Sequence, residues 1–132
     1  MKLLLDTHVF LWSLLDTAKL SATAGAALVS PENEVIVSAV NFWEISLKFA
    51  LRRLDLQGIL PDQLPAEASL AGYTLVPLEG KTAASFHQLP LGLHRDPFDR
   101  MLAWQAIRAG WTLVSRDRWM DSYVEHGLQL LW

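Results

Sequence analysis

The 132-residue chain contains no cysteine. That absence excludes disulfides, thiolate-held zinc, iron–sulfur clusters and cysteine nucleophiles, and it gives no reason to place the protein in an oxidising compartment. Any metal must therefore sit on oxygen or nitrogen. Basic charge is in the minority: 11 Lys and Arg against 14 Asp and Glu give a formal net charge of -3. Bulk electrostatic binding of nucleic acid is thereby disfavoured, which leaves room only for a local basic strip. No uninterrupted apolar run approaches the roughly 18 residues of a membrane span. Asp6 and His8 break the apolar start Leu3-Leu4-Leu5, and Asp16 and Lys19 charge the segment before Ala22-Thr23-Ala24, so no secretory signal is expected. His8, His87, His94 and His126 lack HExxH or comparable spacing, and no GxGxxG or GKS/GKT loop occurs. Histidine-held zinc and a bound nucleotide cofactor are both disfavoured.

What the chain does have is apolar material, 52% of its residues. That suits one well-buried globule, and residues 1–132 read as a single domain, expected to be soluble and cytoplasmic without membrane contact. Short apolar runs at 2–5, 34–37, 73–76, 112–114 and 129–131 read as strands buried on both faces. Helical patterns lie between them at 7–15, 22–29, 40–54, 63–70, 81–89, 97–109 and 118–125, and 58–65 reads as a loop. Strand and helix in alternation predict a parallel sheet covered by helices.

Open sheets of this kind hold ligands in the crevice beyond the carboxyl ends of their strands. Asp6 follows the first strand, Ser38 and a helix carrying Glu44 follow the second, and Ser115 and Asp117 follow the fourth. Asp96 and Asp99 open the helix that feeds that fourth strand. Each acid also has a purely structural reading. Asp6, Asp96 and Asp117 directly precede predicted helices, where Asp caps the first turn, and Asp99 stands where a carboxylate suits the helix dipole. Glu44 lies at the edge of an apolar stripe of Val40, Trp43, Leu47, Leu51 and Leu54, one turn from Lys48, so an ordinary surface ion pair is its alternative.

Taken together, the acids point further. Carboxylates gathered without basic partners repel one another unless protons or cations neutralise them, and hard ions such as Mg²⁺ or Mn²⁺ prefer carboxylate oxygen. A cation there acidifies water and stabilises charge on a phosphoryl group, which is the chemistry of phosphodiester hydrolysis. Arg95, Arg100, Arg116 and Arg118 gather near the same rim and could form a phosphate track, to which His94 would add. Two other readings compete. One is a non-catalytic module whose acids are only caps. The other is phosphoryl transfer through an aspartyl phosphate, which Asp6-Thr7-His8 supports poorly because no second acid follows two residues on.

LLLDTHVFLW, VSAVNFWEISLK, DPFDRMLAWQA and TLVSRD, in this order, resemble the PIN-domain ribonucleases, most of all the toxin branch of toxin–antitoxin pairs commonly called VapC. The resemblance runs from Leu3 to the terminal LQLLW. It implies a three-layer α/β/α fold with a mostly parallel sheet of about five strands and a Mg²⁺- or Mn²⁺-dependent endoribonuclease site. Carried over position by position, the catalytic acids are Asp6, Glu44, Asp99 and Asp117, with Asp6, Asp99 and Asp117 as metal ligands. Asp96 is an additional acid, ligand or cap. Ser115 stands where a Thr is more usual, and with Arg95 and Arg116 it is expected to meet the RNA. The resemblance also implies a cognate antitoxin whose extended tail covers the groove, with Trp12 and Trp43 as anchors if they are exposed. A homodimer is expected as the commonest symmetric state.

Overall fold

The computed structural model describes residues 1–92 and 95–132. Its centre is a five-stranded sheet, β1 (Lys2–Leu5), β2 (Glu34–Ser38), β3 (Thr74–Val76), β4 (Thr112–Val114) and β5 (Gln129–Leu131), in the order β3-β2-β1-β4-β5. Every pairing is parallel. Six α-helices connect the strands: α1 (Thr7–Leu15), α2 (Ala22–Val29), α3 (Ala39–Ala50), α4 (Leu64–Leu70), α5 (Gly80–Ser85) and α6 (Pro97–Ala109).

Side chains along a strand alternate between faces, and the core divides accordingly. Leu3, Leu5, Val35 and Val37 pack with Val9 and Phe10 of α1, Ala24 of α2 and Leu64 and Ala68 of α4. Leu4, Ile36 and Leu113 face the opposite layer, against Leu102, Ala103 and Ala106 of α6 and against Met120 and Tyr123. The three-layer expectation is met. α3 serves both layers, Val40 entering one cluster and Ile45 the other.

Three local expectations need correction. Helix α3 stops at Ala50, short of residue 54, because Arg52 adopts a left-handed backbone with φ 57° and the Arg53 amide turns back to the Lys48 carbonyl. The segment 118–125 is a 3₁₀ helix, Arg118–His126, and α5 passes into a 3₁₀ turn at Phe86. Finally, β3 and β5 lie at the sheet edges and are partly exposed, whereas β4 is buried throughout.

Candidate active site

Strand order reverses around β1, whose two neighbours β2 and β4 lead to connections on opposite sides, so the crevice opens at the carboxyl ends of β1 and β4. Asp6 stands there, tied down by its amide's bond to the Val114 carbonyl at 3.1 Å. Its Oδ1 accepts the Val9 amide at 2.8 Å, so it is the N-cap of α1. Its Oδ2 accepts the Ser115 hydroxyl at 2.5 Å. Ser115 Oγ in turn accepts the Asp117 amide at 3.0 Å. One hydroxyl thus ties the ends of β1 and β4 together. Asp6, Asp117 and Arg116 line a single cleft of about 440 Å³ with His8, Trp12 and Arg118.

The second acid arrives from β2. Ser38 caps α3, and Asn41 Oδ1 accepts the Ser38 amide in a capping box. Asn41 Nδ2 donates to the Leu5 carbonyl and to Thr7 Oγ1, both at 3.1 Å. Thr7 Oγ1 donates to Glu44 Oε1 at 2.5 Å. The Glu44 side chain is only 1% exposed and forms an ion pair with Lys48. The buried side of α3 is therefore Val40, Asn41, Glu44 and Ile45, while Trp43, Leu47 and Leu51 are 62%, 41% and 53% exposed. Of the expected stripe Val40 is buried and Leu54 packs against the core, whereas Trp43, Leu47 and Leu51 face outward, and Glu44 belongs to the inward face rather than to its edge.

The third contribution comes from the start of α6. Asp96 caps that helix through the Phe98 amide at 2.9 Å and lies 3.8 Å from Lys48 Nζ. Asp117 caps the 3₁₀ helix through the Trp119 amide at 2.9 Å. The capping reading thus holds for Asp6, Asp96 and Asp117, and it does not remove them from the site, since a carboxylate has a second oxygen.

Electrostatics connect these groups. Burial, then Glu44, Asp96 and Asp6 push the Asp99 carboxyl up to about 8, against a smaller opposing effect of Lys48. Burial raises Asp6 as well, offset in part by the Ser115 and Val9 hydrogen bonds and by His8, with Glu44 adding to the rise. Burial and neighbouring acids thus disfavour the ionised forms of Asp99 and Asp6. Oxygen donors of this kind suit Mg²⁺ or Mn²⁺, and the gathering of Asp6 and Asp117 in one cleft, tied through Ser115, is the observation that makes a cation fit. Among the described residues no three acid or imidazole side chains form a ready cage. Mg²⁺ does not require one, because it keeps several waters and takes one or two carboxylates together with substrate phosphate.

Of the expected basic residues, Arg116 lines the cleft, 5.8 Å above the Trp12 ring. Arg118 lines it too, and Arg95 is exposed. Arg100 points elsewhere: it bonds the Tyr123 hydroxyl at 3.2 Å and the Leu89 and Pro90 carbonyls, which removes it from the phosphate track. His94 falls outside the described residues. Thr7, Asn41 and Lys48 escaped sequence reasoning as site residues. The available signal for one of them was the spacing of Asn41 and Glu44 at i, i+3, which puts two polar side chains on one helix face.

A family model described as PIN domain matches residues 3–125. Ribonuclease VapC22 of Mycobacterium tuberculosis is 31% identical over 125 residues, 91% of this chain and 90% of that protein. The fold is similar to a chain of VapBC2 from Rickettsia felis bound to a DNA fragment from their promoter, with TM-score 0.69, 16% identity and coverage of 99% and 98% of the two chains. It is also similar to a chain of FitAcB from Neisseria gonorrhoeae, with TM-score 0.64, 22% identity and coverage of 98% and 96%.

Proposed function

The chain belongs to the PIN-domain family, and from that membership we propose that it is a metal-dependent endoribonuclease, the toxin of a toxin–antitoxin pair acting in the cytoplasm. The single observation that carries this reading is the convergence of acids from separate segments on one rim, Asp6 and Asp117 joined through Ser115 in one cleft and Glu44 and Asp96 both beside Lys48, with the Asp99 carboxyl pushed up to about 8 by burial and by Glu44, Asp96 and Asp6. Such a group is poised to exchange a proton for a cation. Asp6, Asp99 and Asp117 would hold the ion, with Asp96 beside them. When bound, Mg²⁺ or Mn²⁺ supplies acidified water and neutralises charge developing on the phosphoryl group.

The chain's own residues do the rest. Ser115 holds Asp6 in one rotamer and Asp117 at a fixed distance from it, while Thr7 and Asn41 fix Glu44 from behind. A site held by packed hydrogen bonds reorganises little during reaction. Arg116 lies beside Asp117, where a guanidinium suits the phosphate next to the one being cut, and exposed Arg95 extends the track.

The partner reading rests on α3. Trp43, Leu47 and Leu51 form an exposed apolar stripe, with Trp43 edge-on to Phe98 at 4.8 Å. An antitoxin tail covers this stripe and inserts a basic side chain among the acids, replacing the cation's charge and blocking substrate phosphate. Trp12 is half-buried among His8, Trp132 and Arg116, so Trp43 is the better anchor of the two. The protein itself is a homodimer on this reading.

The test is cleavage of end-labelled single-stranded RNA by the purified protein. Cutting should require Mg²⁺ or Mn²⁺ and disappear in Asp6→Asn and Asp99→Asn variants that retain native circular dichroism. Undiminished cutting in excess EDTA would overturn the metal-dependent mechanism.

A further inference from the structure

Trp119 is 57% exposed, on the 3₁₀ helix that follows Asp117. Apolar side chains scattered singly over a surface need no explanation, so its surroundings decide whether this one has a role. The backbone beneath it is fixed. Asp117 Oδ1 accepts the Trp119 amide at 2.9 Å, the Ser122 hydroxyl donates to the Trp119 carbonyl at 2.9 Å, and Met120 and Tyr123 of the same helix are buried.

The indole borders a hollow of about 640 Å³ that Arg118, Asp121 and Ser122 also line. Arg118 lines the neighbouring cleft as well, together with Asp6, Asp117, Arg116 and Trp12. The two openings therefore meet at one guanidinium, and a strand lying beside the acids reaches the indole by passing it. Charge restricts what each part can hold. Arg118 suits a phosphate, whereas Asp121 repels one from the hollow itself. A flat, uncharged group joined to a phosphate fits both conditions, and a nucleobase is such a group. Unpaired bases stack on aromatic side chains while basic side chains follow the backbone.

A protein partner is the competing occupant. Trp43, the other tryptophan more than half exposed, stands in an apolar stripe with Leu47 and Leu51 and against Phe98. The hollow at Trp119 is lined instead by a cation, an acid and a hydroxyl, which favours a nucleotide.

We propose that Trp119 is a substrate-binding residue, a stacking platform for an unpaired base flanking the point of cleavage, with Arg118 on the phosphate between them. This rests on the ribonuclease reading above. It makes the site select single-stranded RNA, since a base held in a duplex cannot splay onto the ring.

The test compares a fluorescein-labelled oligoadenylate with an abasic oligomer of the same length and charge, by anisotropy at low salt, on the non-cutting Asp99→Asn protein. That parent should prefer the oligoadenylate by about fivefold or more. Trp119→Phe should keep most of the margin. Trp119→Leu and Trp119→Gln, which remove the aromatic face in two ways, should lose it with the salt dependence of binding unchanged, because stacking releases no counterions. Either of the two that retains native circular dichroism decides. A margin that survives the change, or equal binding of both oligomers by the parent, overturns the platform and leaves metal-dependent cutting intact. Loss of self-association in light scattering with the margin preserved also overturns it and gives the ring to a protein interface. No binding of either oligomer overturns the platform, and a wild type that also fails to cut RNA in Mn²⁺ overturns the ribonuclease reading with it.

Discussion

Replacing Asp99 by Asn should make the metal-free protein more stable at neutral pH, although it removes an acid from the site. The folded chain holds this carboxyl at about 8 against an ordinary value of 3.8. Between those values the folded state keeps a proton that the unfolded state has released, so the stability of the native protein falls as pH rises through the window and levels off above it. pH 7 lies about three units above the ordinary value and below the folded one, so at about 1.4 kcal/mol per unit the ceiling there is roughly 4 kcal/mol. Relaxation and water at the open rim reduce a partly buried charge's penalty to about 1–2 kcal/mol. For a domain of this size that corresponds to a rise in Tm of about 3–10 °C. Thermal melts in EDTA, run on both proteins from about pH 4 to about pH 9, should show the gap opening between about pH 4 and 8 and constant beyond. Adding Mn²⁺ should narrow or reverse it, because only the wild type regains its full ligand set. A variant less stable than wild type at pH 8 in EDTA, or a gap independent of pH, would refute the argument that Asp99 is pushed up by its neighbours.

Arg116→Ala, placed on a non-cutting Asp99→Asn background, should weaken single-stranded RNA binding at low salt and reduce the slope of log K against log salt by about 0.7, the loss of one phosphate contact. Fluorescence anisotropy across a salt series measures it, and an unchanged slope removes Arg116 from the phosphate track. Trp43→Ser and Leu47→Ser should leave stability nearly unchanged, within about 0.5 kcal/mol, because both side chains are already exposed. The same changes should abolish co-purification of the antitoxin or self-association, read by affinity capture and light scattering; intact assemblies would place the partner surface elsewhere.

The strands were the most legible part of the sequence, since 2–5, 112–114 and 129–131 coincide with β1, β4 and β5 and the other two differ by one residue at an end. Short apolar runs between helical patterns carry that information directly. Burial of the edge strands was not legible, because strand order depends on which crossover connections the helices make and not on the strand's own residues. The end of α3 was hidden for a local reason. Leu51 and Leu54 continue a helical spacing, yet the chain stops on Arg52 in a left-handed conformation that usually belongs to Gly or Asn. The largest misreading concerned which side of α3 is buried. Apolar periodicity selected Val40, Trp43, Leu47, Leu51 and Leu54, of which Trp43, Leu47 and Leu51 are exposed, whereas the inward face includes Asn41 and Glu44 beside Val40. Periodicity finds an apolar stripe wherever it points, and here that stripe is exposed on the chain alone.

The same residues explain why the acids were individually ambiguous. Asp6, Asp96 and Asp117 each spend Oδ1 on a backbone amide at the start of a helix. That bond fixes the side-chain rotamer, and in a parallel α/β sheet the start of a helix following a strand is the rim of the crevice. Capping is thus the device that aims the second oxygen, toward Ser115 in Asp6 and toward Lys48 in Asp96. A sequence signal for helix initiation and a signal for a carboxylate site are here one signal, and neither can be strong by itself. Their separation requires a property that capping does not produce. Asp99, inside the first turn of α6 and pressed upward by acids from α3, from β1's end and from its own helix's cap, has that property. Accepting an amide by itself favours the ionised form of a cap, since the carboxylate accepts more strongly than the acid does, and at Asp6 burial outweighs that preference. A carboxyl pushed upward by burial and by several acids at once, as Asp99 is, marks the position at which added cation or lost charge changes stability most.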